Sequence, residues 1–168
     1  MFTNLPEQNV PVCRQCGFTF VELIATLAIM AVLAMVTVPL AQVSVQRIKE
    51  QELRASLTQI REALDAYKRA SDQGRIEKKL GESGFPKKLD DLWQGVPDQR
   101  SPNQQKLYFL RSLPRDPTFP DHQIPAAQTW GLRSYASPPD APAEGEDIFD
   151  VYSMSKRVGL NGVEYAQW

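Results

Sequence analysis

Glu22 is the residue whose chemistry most needs an account. It stands four positions after Phe18, in a stretch from Phe18 to Ala41 where nineteen of 24 residues are apolar. An ionised carboxylate in such surroundings costs about 2.5 kcal/mol or more without a partner. Nothing nearby in the chain neutralises it, since Arg14 lies eight positions back in a leader with no helical pattern. A cation from another molecule would remove the cost, and so would a free amine created by cutting the chain just upstream. Placement at a helix amino terminus, where the dipole favours negative charge, offers a smaller contribution.

The other reactive residue types are sparse. Cys13 and Cys16 are the only cysteines and form a single C-x-x-C, which serves elsewhere as a redox pair or as half of a zinc site. Two further zinc ligands are missing nearby, and no disulfide framework can staple the rest of the chain. His122 is the only histidine and sits in a Pro-rich stretch, which removes most hydrolase and metalloenzyme arrangements. The acidic run Glu144, Glu146, Asp147 and Asp150 reads as a solvated loop rather than a metal site. With 19 Lys+Arg against 20 Asp+Glu, the chain is no simple basic nucleic-acid binder.

These residues must be positioned by a long amino-terminal helix. From Leu23 to Gln46 no residue is charged, and at about 1.5 Å per residue such a run crosses a hydrocarbon core of about 30 Å. A secretory signal would end at a small-residue cleavage site, whereas here a polar leader comes first and the apolar run follows. Beyond the span, Leu53, Leu57, Ile60, Leu64 and Tyr67 recur at helical spacing between charged residues such as Arg54 and Arg61. The stripe predicts a face laid on a sheet in preference to a coiled-coil seam. Pro39 removes a backbone donor and clashes with the carbonyl of Met35, so a kink or melted turn is expected there.

The remainder reads as a small head. Glycines 74, 81 and 84 mark a loop, and Phe85 to Trp93 predicts a short Pro-initiated helix burying Leu89, Leu92 and Trp93. Residues 94–105 are polar and turn-rich, an exposed excursion. Runs at 107–110, 129–135 and 148–153 predict an antiparallel sheet of three or four strands.

Gly17-Phe18-Thr19-Phe20-Val21-Glu22-Leu23 resembles the junction of leader and helix in the type IV pilin and pseudopilin family. The resemblance implies an α+β fold, a long amino-terminal helix packed on a small antiparallel sheet. It also implies cleavage between Gly17 and Phe18 by a prepilin peptidase, N-methylation of Phe18, and a role for Glu22 in subunit assembly. Pilins of this kind carry a proline where Pro39 stands. The expected organisation is a cleaved leader at 1–17, a transmembrane and assembly helix at 18–42, its amphipathic continuation at 43–70, and a globular head at 71–168. Arg47, Lys49 and Arg54 beyond the span, against Arg14 and Glu7 before it, would set the opposite topology by charge counting alone. The seven-residue junction outweighs that count.

Leu113-Pro114-Arg115-Asp116-Pro117, Asp147 to Ser153, Gly159-Leu160-Asn161-Gly162 and Trp168 together resemble the major pseudopilin family of type II secretion, protein G. That resemblance implies a non-enzymatic subunit, bound to the bacterial inner membrane with its amino terminus cytoplasmic and its head periplasmic. Its partners would be the prepilin peptidase, other pseudopilins in a filament, and an inner-membrane assembly platform and ATPase, with no nucleic acid. The junction motif fits a minor pilin of a type IV pilus as well. Heads of the family bind calcium in the loop after the last strand, but here Lys156 and Arg157 occupy that loop. Its oxygen-bearing side chains are Ser153, Ser155, Asn161 and Glu164, a poor set for a hard divalent cation. The expectation is no resident cofactor, with the loop held by packing of Leu160, Tyr165 and Trp168.

Overall fold

The computed structural model describes residues 17–103, 105–121 and 123–168. Cys13, Cys16 and His122 lie outside the described residues. The chain divides into two compact units, one ending at Gln42 and the other spanning Val43–Trp168.

The first helix, α1, is Phe20–Asp72. It runs across Pro39 without a break, so no melted turn interrupts it. Next to the donor that Pro39 lacks, the Thr37 hydroxyl donates back to the Leu33 carbonyl at 3.0 Å, a contact that tends to bend helices locally. In the first unit the large apolar side chains are exposed, Phe20 at 78% and Met30 at 69% among them. The helix is long and apolar enough to cross a membrane.

In the second unit α1 supplies one wall of the core. Leu53, Leu57, Ile60, Leu64 and Tyr67 are buried with Leu89, Leu92, Leu110, Trp130, Ile148, Val151 and Tyr165. The stripe is therefore laid against the head, and each fully buried aliphatic contributes about 1.5–3 kcal/mol relative to exposure. A single-turn helix, α2 (Asp91–Gln94), follows. Leu89 and Leu92 are buried as expected, but Trp93 is 39% exposed. One helical turn cannot turn three such residues inward, and the Trp93 indole instead donates to Asp90 at 3.0 Å.

The fold is α+β and type IV pilin-like, but among the described residues the strands form two ribbons instead of one sheet of three or four strands. Strands β1 (Val96–Pro97) and β2 (Lys106–Leu107) pair antiparallel. Strands β3 (Trp130–Arg133) and β4 (Asp150–Ser153) pair antiparallel with Trp130 opposite Ser153 and Gly131 opposite Tyr152. Pro97 has no N–H to donate to a ladder, and after β2 the Phe109 and Leu110 amides both donate to the Leu92 carbonyl at 2.9 Å. Those bonds turn the chain toward α2 and end the strand. Gly131 is required because the Tyr152 ring crosses it; a Cβ there would lie 2.4 Å from the ring.

The 94–105 excursion is also less free than its composition suggests. Asp98 is buried and accepts from Arg75 Nε at 3.0 Å and Nη2 at 2.6 Å, which ties the excursion to the chain leaving α1.

Candidate processing and assembly site

Gly17, Phe18 and Thr19 precede the helix in a non-helical, exposed backbone. Thr19 is the residue that stops α1 from extending further back. Its hydroxyl accepts from the Glu22 amide at 3.3 Å, while its carbonyl accepts the first helical bond from Leu23 at 3.2 Å. Thr19-x-x-Glu22 thus has the spacing of a capping box. The Gly17–Phe18 peptide bond therefore stays exposed and outside helical hydrogen bonding.

Glu22 lies in the first turn of α1, where the helix dipole favours its charge. Among the described residues no cation pairs with its carboxylate. Both readings open in the sequence therefore stand: the carboxylate lies in the first turn, where the dipole favours it, and among the described residues it has no counterion in its apolar setting.

The head places its charged groups differently from expectation. Glu50, on α1, is buried, and its Oε1 accepts from the Leu160 amide at 2.8 Å, the Tyr165 hydroxyl at 3.0 Å and Gln46 Nε2 at 3.0 Å. Burial alone would raise its pKa, but those three donors together with the charge of Arg54 outweigh it and hold the carboxyl below its ordinary value. The loop is therefore held by a buried carboxylate as well as by the Tyr165–Trp168 ring contact at 5.1 Å. Leu160 contributes its amide and not its side chain, which is 44% exposed.

Asp116, within the Leu-Pro-Arg-Asp-Pro run, is fully buried. It accepts from the Thr118 amide at 2.7 Å, the Thr118 hydroxyl at 2.6 Å and the Ser153 hydroxyl at 2.6 Å. Ser153 is thereby committed to the core. Asn161 Oδ1 accepts from the Val163 amide at 3.1 Å, and Glu164 is exposed. Ser153 and Asn161 are thus engaged within the head, and among the described residues no group of three or more His, Cys, Asp or Glu side chains could hold a metal ion.

The acidic run splits in two. Glu144 and Glu146 are exposed, as a solvated loop requires. Asp147 instead accepts from the Ser134 hydroxyl at 2.5 Å, and Asp150 pairs with Arg61 at 2.8 Å and Arg133 at 3.1 Å.

Sequence reasoning missed Thr19, Glu50 and Asp98. A capping-box scan would have found Thr19. Glu50 has a local signal only in Gln46 four residues earlier; its decisive partners are 110 and 115 residues away.

The family model described as "Prokaryotic N-terminal methylation motif" matches residues 13–38. Three proteins, each described as "Type II secretion system core protein G", are similar along most of the chain. That of Klebsiella pneumoniae is 26% identical over 149 residues, 86% of this chain and 99% of the relative. That of Dickeya chrysanthemi is 23% identical over 154 residues, 89% and 94%. That of Pectobacterium carotovorum subsp. carotovorum is 25% identical over 149 residues, 86% and 88%. No solved structure matches.

Proposed function

We propose that this chain, a type IV pilin-like protein with a prepilin methylation motif, is a pseudopilin subunit of a type II secretion system. The observation that carries the reading is the position of the motif: its junction lies in exposed, non-helical backbone directly before a capped apolar helix. Similarity to core protein G along most of the chain supports the choice of system.

In this reading a prepilin peptidase hydrolyses the Gly17–Phe18 bond, discards residues 1–17 with both cysteines, and methylates the new amino group of Phe18. Residues 18–42 anchor the subunit once across the bacterial inner membrane with the amino end cytoplasmic and the head, 71–168, periplasmic; residues 43–70 continue the helix into that head. In the filament Glu22 neutralises the amino terminus of a neighbouring subunit. The pair is favoured over either charge alone in low dielectric, and it also fixes subunit register. The turn before Pro39 already lacks one hydrogen bond, so it loosens on assembly at low cost. The protein catalyses nothing itself; an inner-membrane platform and ATPase assemble it, with other pseudopilins, into a pseudopilus that promotes export across the outer membrane.

The test is the intact mass of the protein from its native membrane. The expected species begins at Phe18 and carries one methyl group. A full-length chain, in cells whose prepilin peptidase acts on other substrates, would refute the reading and leave a membrane-anchored domain in its place.

A further inference from the structure

The loop after β4 is where the resemblance implies a calcium ion, and its donors do not fit one. Ser153 is committed to Asp116 and Asn161 to the Val163 amide. Several of the loop's carbonyls are engaged too: Arg157 accepts from the Tyr165 amide at 3.1 Å, Gly159 from the Gly162 amide at 2.9 Å, and Val163 from the Gly159 amide at 2.8 Å. The Val158 carbonyl accepts from Gln46 Nε2 at 3.3 Å. Lys156 and Arg157 add positive charge where a divalent cation would need six to eight oxygens.

A cation in such a loop draws oxygen atoms together. Here the opposite polarity holds the same segment: a buried anion gathers hydrogen-bond donors. We infer that the Glu50 carboxylate of α1 does the work of a metal ion, latching the terminal loop through the Leu160 amide and the Tyr165 hydroxyl, so that the head is set without calcium. Gln46 completes the latch, the two hydrogens of its Nε2 being shared among Glu50, the Tyr165 oxygen at 3.1 Å and the Val158 carbonyl. Charge-assisted bonds to backbone and hydroxyl donors are the strong class of hydrogen bond, and burial keeps water from competing for them. The inference concerns the head alone and holds whichever filament the protein builds.

Hydrogen exchange of the peptide containing Leu160, read by mass spectrometry on the full chain in detergent, tests it. Exchange in wild-type protein should be the same in excess EGTA and in excess CaCl2. Glu50→Ala should speed it on the order of tenfold or more in both conditions, as loss of charged hydrogen bonds predicts. Should Glu50→Ala fail to fold, Tyr165→Phe keeps the ring and removes one donor, and faster exchange confined to this loop is expected. Wild-type exchange that slows severalfold on adding calcium would overturn the inference. So would protection that survives both substitutions.

Discussion

Glu22 has two candidate roles, support of the helix amino terminus and half of an intermolecular ion pair, and their magnitudes differ enough to be separated. The cap bond from the Glu22 amide to the Thr19 hydroxyl is 3.3 Å, long for a hydrogen bond. Its loss should cost about 0.5–1 kcal/mol, the lower part of the range for such caps. The pair offsets a charge in hydrocarbon, about 2.5–3.5 kcal/mol, which is roughly a hundredfold in association at about 1.4 kcal/mol per tenfold. Thr19→Ala should therefore weaken filament formation by about two- to fivefold and Glu22→Ala by about a hundredfold. Glu22→Gln is the decisive substitution, because glutamine serves at the third position of a capping box but cannot neutralise an amine. It should behave like Glu22→Ala. Cross-linking of subunits in native membranes, normalised to membrane-inserted protein, reads all three; removing a charge eases insertion, so the loss is expected in assembly alone. If Glu22→Gln assembles like wild type, or Thr19→Ala falls as far as Glu22→Ala, the ion-pair account is wrong.

Asp116→Ala should be among the most damaging substitutions in the head. It strands the Thr118 amide and leaves the Thr118 and Ser153 hydroxyls only each other, 3.1 Å apart, in a fully buried site, costing about 3–5 kcal/mol and lowering Tm on the order of 15–25 °C. A drop of under about 5 °C in thermal melts would show that the site relaxes or admits water. Acid sensitivity follows from the carboxylates whose pKa the fold depresses. Asp98 is held low by the Arg75 guanidinium, and Asp147 by donors from Ser134, Ser83 and Tyr135 that overcome its burial. Glu50 behaves likewise. A carboxylate with a lowered folded pKa stabilises the fold above its unfolded pKa and loses that contribution as the pH falls through the folded value. Tm should therefore be flat near neutrality and fall as the pH drops below 4.5 for Glu50 and 3.8 for the two aspartates. A Tm that rises in that window would contradict the assignment.

Sequence made legible whatever depends on near neighbours. The stripe from Leu53 to Tyr67 announces α1 because residues three and four apart share a helix face, and all five residues are in the core. The apolar run around Glu22 needs only composition. What stayed hidden depends on distant pairing. Whether the runs at 107–110 and 129–135 share one sheet is decided by which carbonyl captures the Phe109 and Leu110 amides, and that carbonyl belongs to Leu92. Trp93 reads as core by hydropathy, yet a four-residue helix leaves it at the surface. Asp147 and Asp150 look like Glu144 and Glu146 in an acidic run, and distant partners such as Ser134, Arg61 and Arg133 distinguish them.

The same limit applies to the polar side of α1 beyond the span, whose pattern says nothing of partners. Gln46, Glu50 and Arg54 recur every four residues, and Arg61 follows seven later, a spacing that keeps them on neighbouring faces. Each engages the end of the chain. Gln46 and Glu50 hold Val158, Leu160 and Tyr165; the Arg54 guanidinium lies 4.3 Å from the Trp168 ring centroid; Arg61 reaches Asp150, the Val151 carbonyl and, at 2.8 Å, the Trp168 carbonyl. From Val158 to Trp168 only Tyr165 belongs to the buried apolar core. Hydrophobic burial alone would fix this segment weakly, and its position is set by directional bonds from the helix. An amphipathic pattern records where apolar surface must hide. It is silent about which polar residues have partners, because those partners lie about a hundred residues further along the chain.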